Sequence, residues 1–537
     1  MKLNAKWGWF VGFAAVFAVL AGFVFWGTWS LDFVPVMPDC PTTHSPYWFQ
    51  GAWRGILRDG LFVPDDLKRF VFGPYFWQEL QYALALFSAA LGMAYYCRGR
   101  GLSRLASYGA GLLLAFSGYW CTLFSAGHLG WFRWMTYGVF AFGLADRAVR
   151  KGKPKNWLLL GACVAWGSFY QSDLWLLFTV LTGFYFLWCC VRERKFPWKG
   201  ALVSAAVFLA VGGPSIRHAF VNDLVGRDKQ IAEGQTVANG GQGLDDAEKR
   251  WIFATNWSLP ADEIVEFFYP RVNGDTSCPF TLSIGLKNGN GIKPYTGALG
   301  RPKDAPQGNY RQHSLYVGLV TCLLALLGAV LGGRKCLFFT VAAFVFCVFS
   351  FGRYCEPVYR CVYALPFGDY LRAPVKWHHV TEFCLCVLAA FGVDALVRLM
   401  GRMGRMGRYA SWVVGAVVLL GAVDLARVDH LFCAPVDVSK ARRTESTMQM
   451  TVLQREQFQN PQVAEMVRRG QIVSIANYMG NPNYFVVGVL EKCQKPKPFE
   501  NDALDPIVLV LLALSVASSL GIAIYGIFVA TRPRNVV

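Results

Sequence analysis

The chain has 537 residues, of which 54% are hydrophobic and only 16% charged, with a formal net charge of +18. A mean hydropathy of +0.34 excludes an ordinary water-soluble enzyme and points to a polytopic membrane protein. The basic excess is spread over short loops between apolar runs, where it serves as topology anchors facing anionic lipid, and it makes no case for nucleic-acid binding.

A bilayer core about 30 Å thick takes roughly 20 apolar residues per helix. About twelve such stretches are predicted, near 8–28, 76–97, 105–125, 129–147, 156–172, 174–191, 200–218, 314–332, 336–352, 378–399, 410–428 and 504–530. The first is long for a signal-peptide core, and Trp26, Trp29 and Phe33 follow it where a small-residue cleavage site would stand, so it reads as a retained helix. Lys and Arg fall at every second turn of the chain: Lys2/Lys6, Arg98/Arg100/Arg104, Arg147 to Lys155, Arg192 to Lys199, Arg334/Lys335, Arg402/Arg405/Arg408 and Arg532/Arg534. This is the positive-inside pattern with both termini cytoplasmic, as in a bacterial cytoplasmic membrane protein.

That orientation turns four longer segments outward: 29–75, 219–313, 353–377 and 429–503. The predicted parts are an N-terminal seven-helix module (1–218), an extracytoplasmic loop (219–313), helices eight to eleven (314–430), an extracytoplasmic segment (431–503) and a last helix with its tail (504–537). No inverted repeat relates the halves, which weighs against the common transporter plan. Segment 46–75 mixes aromatic residues with Arg54, Arg58, Asp59, Asp65, Asp66, Lys68 and Arg69, and reads as interfacial helices lying on the membrane. Residues 233–244 form a Gly-rich polar excursion, and 429–503 reads as a small α/β patch, a helix followed by strands. The fold class is thus an all-α membrane protein with interfacial helices and extracytoplasmic loops.

All seven histidines fall on or near the predicted outer face, and six of the sixteen cysteines do: Cys40, Cys278, Cys355, Cys361, Cys433 and Cys493. No CxxC or HExxH spacing demands a metal. Outer acids are the donor type for Mg or Mn, so a metal cofactor stays open.

Four constellations gather on the outer face. The first is Asp39 with His44, with Asp32 nearer the helix end. Carboxylates beside membrane helices are costly and mark functional sites by default; the plain reading is a solvated loop. The second is Gln171 and Asp173 between two helices, which equally reads as a turn cap. The third, His128 with Arg133, also reads as an interfacial anchor. The fourth packs Arg353, Arg360, Arg372, Lys376, His378 and His379 into one segment. Cations on the outer face do not serve the positive-inside rule. Arg binds phosphate bidentately and Lys as a point charge; contact with ordinary head groups is the alternative. Together these parts suit transfer of a sugar from a lipid phosphate: a carboxylate takes the acceptor hydroxyl's proton, and the cations neutralise the leaving phosphate.

The motifs PDCPTTHSPYW, SAGHLGWF, NWSLPADEIVEFFYPRVNG, RQHSLYVGLVTCLLALLG and FSFGRYCEPVYRCVYALPFGDYLRAPVKW occur in the order seen in bacterial YfhO-like membrane proteins, which the chain resembles over about residues 1–430. That family is similar to GT-C-type glycosyltransferases, which use polyprenyl-phosphate sugars outside the cytoplasm. The resemblance implies a key carboxylate at Asp39 and an Arg-x-Pro-x-Lys motif at Arg372, Pro374 and Lys376. It implies as partners a polyprenyl-phosphate-linked sugar, membrane lipids and an extracytoplasmic glycan or protein acceptor. Ala261-Asp262 departs from the family's pattern after Pro260, which puts a role for Asp262 or Glu263 in doubt, and 431–503 has no counterpart. Two other readings compete: a lipid or polysaccharide transporter or flippase, which would want charges or helix breaks near the midplane, and a non-catalytic subunit of an envelope-assembly complex.

Overall fold

The computed structural model describes residues 5–26, 33–35, 74–123, 132–169, 173–220, 225–232, 243–273, 313–365, 368–432, 435–437, 447–469, 471–477, 484–491 and 506–531. Most of them are helical. The helices are α1 (Ala5–Val24), α2 (Pro74–Gly99), α3 (Arg104–Ala115), α4 (Gly118–Thr122), α5 (Phe132–Lys151), α6 (Pro154–Ser168), α7 (Asp173–Arg192), α8 (Trp198–His218), α9 (Val225–Ala232), α10 (Asp246–Thr255), α11 (Leu319–Leu331), α12 (Leu337–Ser350), α13 (Glu356–Tyr363), α14 (His378–Gly401), α15 (Ala410–His430), α16 (Pro461–Arg468) and α17 (Pro506–Thr531). The strands are β1 (Phe33–Pro35), β2 (Pro435–Asp437), β3 (Thr447–Gln454), β4 (Ile472–Asn477) and β5 (Tyr484–Glu491).

Five segments are long and apolar enough to cross a membrane: Leu80–Gly99, Asp173–Arg192, Trp198–His218, Pro374–Gly401 and Gly407–His430. A sixth arises if α12 and the following helical segment count as one span, bent by 112°. The bend sits at Gly352, whose φ of +50° suits glycine, and a Cβ there would overlap Ser258 and Pro374. Of the other expected spans, Gly8–Val24, Leu319–Leu331 and Pro506–Ile522 appear as shorter apolar helices. The stretch expected at 105–125 breaks in two. Helix α3 stops at Ala115, Ser117 is extended (φ −70°, ψ 139°), and α4 restarts at Gly118. The break is fixed from outside: Gly118 N–H donates to the Tyr316 carbonyl at 2.9 Å, and a side chain at Gly118 would meet Tyr316 backbone. Helices α5 and α6 are separate helices, closed by Arg150/Lys151 and opened by Pro154.

The chain forms two compact units, 1–48 with 73–129 and 227–495, and 49–72 with 130–226 and 496–537. In the first, α11 and α14 approach most closely where Gly328 faces Leu388 and Gly392 faces Leu324; a Cβ at either glycine would overlap the opposing backbone. Small residues at such crossings are the usual device for packing helices in lipid. Val34 of β1 pairs with Val436 of β2. Segment 447–491 forms an antiparallel sheet ordered β3-β5-β4, with α16 between β3 and β4 in sequence. Val487 and Val489 pack there against Phe458, Met466 and Ile472.

The second unit contains α5 to α8 and α17. Buried Asp146 pairs with Arg150 one turn on and accepts the Tyr185 hydroxyl at 3.0 Å. Helix α17 is tied to its neighbours by Ser515, whose hydroxyl donates to the Val211 carbonyl at 2.6 Å, and by Ser519, which accepts Trp166 Nε1–H at 3.1 Å.

Candidate functional site

Three segments of the first unit knot together at the Pro374 end of its long span. Leu259 N–H donates to the Ser350 carbonyl at 2.9 Å, Arg353 N–H to Ser258 Oγ at 3.0 Å, and Val375 N–H to the Trp257 carbonyl at 3.1 Å. Leu259, Phe267, Leu315, Val317, Ala373 and Val375 form its apolar floor. Trp257 (φ 56°) and Ala373 (φ 60°) both sit in the left-handed region without being glycine. Such residues persist only where their surroundings over-determine them, and they concentrate at functional sites. Ala373 lies between Arg372 and Pro374, so this turn fixes where Arg372 leaves the backbone.

The four cations expected to act together have different environments. Arg353 is held by the protein: its guanidinium donates to the Thr255 carbonyl at 3.2 Å and to Thr255 Oγ1 and Asn256 Oδ1 at 3.3 Å each. Arg360 is exposed, bonds Glu356 one turn back at 2.8 Å, and lies 3.8 Å above the Trp251 ring. Lys376 is buried, at 8% exposure. Arg372 is half-buried, with its guanidinium 5.8 Å from the Phe253 ring and 5.6 Å from the Trp257 ring. Among the described residues it has no carboxylate partner. Nearby Arg250 is committed to Asp228 (2.8 Å) and Asp369 (3.2 Å), and Tyr370 donates to Asp228 at 2.9 Å. The hydrogen bond from Arg250, then that from Tyr370, holds the Asp228 carboxyl below its usual range.

Beneath this surface lies a buried polar cluster. His378 and Glu382, one turn apart, are fully buried, with Nε2 2.9 Å from Oε1. His378 Nε2 also lies 3.3 Å from the Leu315 carbonyl. Both neighbours are acceptors, so Nε2 carries the proton. His378 Nδ1 is buried and has no hydrogen-bond partner among the described residues. Glu382 further accepts the Ser117 hydroxyl and the Tyr119 N–H, the latter at 3.2 Å. His379 donates from Nδ1 to the Lys376 carbonyl, and its own carbonyl accepts Trp120 Nε1–H at 3.0 Å. The Tyr119 ring lies 3.9 Å from His313 and 5.9 Å from His379. Thus Arg372, Lys376, His378 and His379 are brought into one continuous feature, with Arg353 in its supporting knot and Arg360 on its exposed flank.

Asp39, His44, Asp32, His128 and Gln171 lie outside the described residues. Asp173 is the first residue of α7 in the second unit and is half-buried. Of the acids after Pro260, Asp262 is exposed and Glu263 is buried. Of the six cysteines predicted outward, Cys355 and Cys361 are free thiols, and the other four lie outside the described residues. No group of three or more His, Cys, Asp or Glu suited to a metal occurs among the described residues.

Sequence reading missed Glu382, Ser117 and Tyr119. The signal for Glu382 is a lone acid four residues after His378 in an otherwise apolar run. Ser117 is 265 positions away from it, which no local pattern reveals.

Compared with known proteins, the chain matches no family pattern, no curated protein and no solved structure. What the fold defines is a membrane protein built around apolar helices.

Proposed function

We propose that the protein is a membrane glycosyltransferase of the bacterial cytoplasmic membrane, moving a sugar from a polyprenyl-phosphate donor to an extracytoplasmic acceptor. In this reading the chain crosses about twelve times with its basic loops inside. The Arg372 end of the site then faces outward, where the lipid-linked donor is presented.

The observation that carries the proposal is Arg372. It stands on an aromatic floor, its backbone exit is set by the Ala373 turn, and no carboxylate pairs with it among the described residues. A planar cation preorganised this way suits a phosphate monoester or diester. Lys376, four residues on, adds charge from a buried position. The acceptor hydroxyl attacks the anomeric carbon, and its proton passes to the Asp39 carboxylate. The carbon–oxygen bond to phosphate breaks and polyprenyl phosphate leaves, neutralised by Arg372 and Lys376. One displacement of this kind inverts the anomeric centre. The test is donor binding: Arg372→Gln should weaken binding of a polyprenyl-phosphate sugar to the purified protein, and unchanged affinity counts against the assignment.

One observation favours a second reading, lipid or polysaccharide transport. The 112° bend at Gly352 and the buried His378–Glu382 pair are a helix break and an ionisable pair within apolar segments, features of substrate pathways in transporters. Proteoliposomes that translocate a labelled polyprenyl-phosphate lipid without transferring its sugar would select this reading.

A further inference from the structure

Helices α1, α3 and α15 run parallel. The Phe13 ring lies 4.9 Å from that of Tyr108 and the Phe17 ring 5.4 Å from that of Phe116, while a Cβ on Gly109 would meet Val418 and one on Gly421 would meet Val320 and Leu113. At their starting ends the three helices part and leave a groove of about 740 Å³. Its walls are small or apolar, with Gly12 and Phe13 on α1, Tyr108 and Gly109 on α3, and Gly415 and Leu419 on α15. Open space lies beside its glycines: a Cβ on Gly12 would meet nothing within 4 Å, and one on Gly415 would meet only Leu105, at 3.5 Å.

The two ends of the groove differ chemically. Arg104 opens α3 directly before the lining residue Leu105, and exposed Arg408 stands three residues before the lining residue Ser411. Trp9 (43% exposed) and Trp412 (81% exposed) flank the same end. Tryptophan beside arginine marks head-group depth. The three helix N-termini add their positive dipole ends there. The shaft from there to Leu112 and Val418 is apolar.

We propose that this groove holds one acyl chain of an anionic glycerophospholipid, with its phosphate on the Arg104/Arg408 rim. A basic mouth over an apolar shaft complements an anionic head group over a hydrocarbon tail. Topology anchoring alone explains the arginines; it does not explain a glycine-lined groove whose lining residues begin within one to three positions of them in the chain. In the orientation proposed above, the site faces the cytoplasmic leaflet, away from Arg372.

The test uses the full chain purified in detergent, with dioleoyl-phosphatidylglycerol or dioleoyl-phosphatidylcholine added and adducts counted by native mass spectrometry. Wild type should retain phosphatidylglycerol roughly tenfold better than phosphatidylcholine. Gly12→Leu and Gly415→Leu fill the groove and should lose that adduct with the melting temperature unchanged. Arg104→Gln and Arg408→Gln change only the rim and should erase the preference for phosphatidylglycerol while phosphatidylcholine retention stays the same. If the glycine variants do not fold, the rim variants decide alone. Equal retention of the two lipids by wild type, an undiminished preference in both rim variants, or a dimer that Gly415→Leu dissolves would each overturn the proposal, the last by assigning the groove to a second copy.

Discussion

His378 Nε2 lies 2.9 Å from Glu382 Oε1, one helical turn away, and both side chains are fully buried. Glu382 is the acceptor for three groups at once: the His378 ring, the Ser117 hydroxyl and the Tyr119 N–H. It thereby ties the start of α14 to the break between α3 and α4. This contact lies at the end of the span that carries Lys376 and that Arg372 just precedes.

Glu382→Ala leaves three buried groups without their acceptor. Leaving a buried donor without its acceptor costs about 1–3 kcal/mol. The expected outcome is a large drop in the detergent melting temperature. Glu382→Gln keeps an acceptor oxygen and should lose less. Equal melting temperatures for wild type and both variants would contradict the role given to this residue.

Arg353→Lys keeps the charge and removes the planar fork that reaches the Thr255 carbonyl, Thr255 Oγ1 and Asn256 Oδ1. A hydrogen bond to a charged group contributes about 1.5–3 kcal/mol. Thermal unfolding should show a loss of that order, and donor affinity should fall only as far as the folded fraction falls. A variant fully stable yet unable to bind donor would instead make Arg353 a direct phosphate ligand.

Gly352→Ala should fail to fold or be strongly destabilised. Its φ is +50°, and the added methyl would collide with Ser258 Oγ and Pro374. Ser258→Ala alone removes the Oγ that accepts Arg353 N–H and donates to the Thr255 carbonyl, and should cost about 1–3 kcal/mol. If Gly352→Ala purifies with wild-type stability, the bend is not fixed as described.

Asp228 supplies a pH-dependent contribution. The hydrogen bond from Arg250, and then that from Tyr370, lowers its folded pKa from the ordinary 3.8. The folded state therefore holds the ionised form more tightly than the unfolded chain does. Stabilisation is complete above 3.8 and is lost as the pH falls through the lowered folded value. Both partners are substantially solvent-exposed, so the effect is below about 1 kcal/mol. The melting-temperature difference between wild type and Asp228→Asn should be constant near neutrality and shrink below 3.8. A difference that grows on acidification would reverse the assigned sign.

Periodicity and hydropathy located α2, α7, α8, α14 and α15 within a few residues, because each is an apolar run bounded by Arg, Pro or Gly. They did not reveal the break at Ser117 or the bend at Gly352. The first lies inside a run that stays apolar, the second falls where the stretch 336–352 was expected to end, and both are set by partners far along the chain: Tyr316 and Glu382 for the first, Ser258 and Pro374 for the second. The basic segment 353–376 was visible as composition, but its division of labour was not. Arg353, Arg360 and Arg372 look alike in sequence and differ in what residues 251–257, and Glu356 for Arg360, place beside them.

The most direct measurement is transfer of labelled sugar from a polyprenyl-phosphate donor by the purified full chain, with donor affinity measured in parallel. Wild type should transfer with inversion. Asp39→Asn should bind donor normally and lose the chemical step. Arg372→Gln should bind donor weakly and lose about 2–4 kcal/mol of transition-state stabilisation in kcat/KM. Wild-type transfer rates in the Asp39→Asn protein, or undiminished donor affinity in Arg372→Gln, would contradict the account.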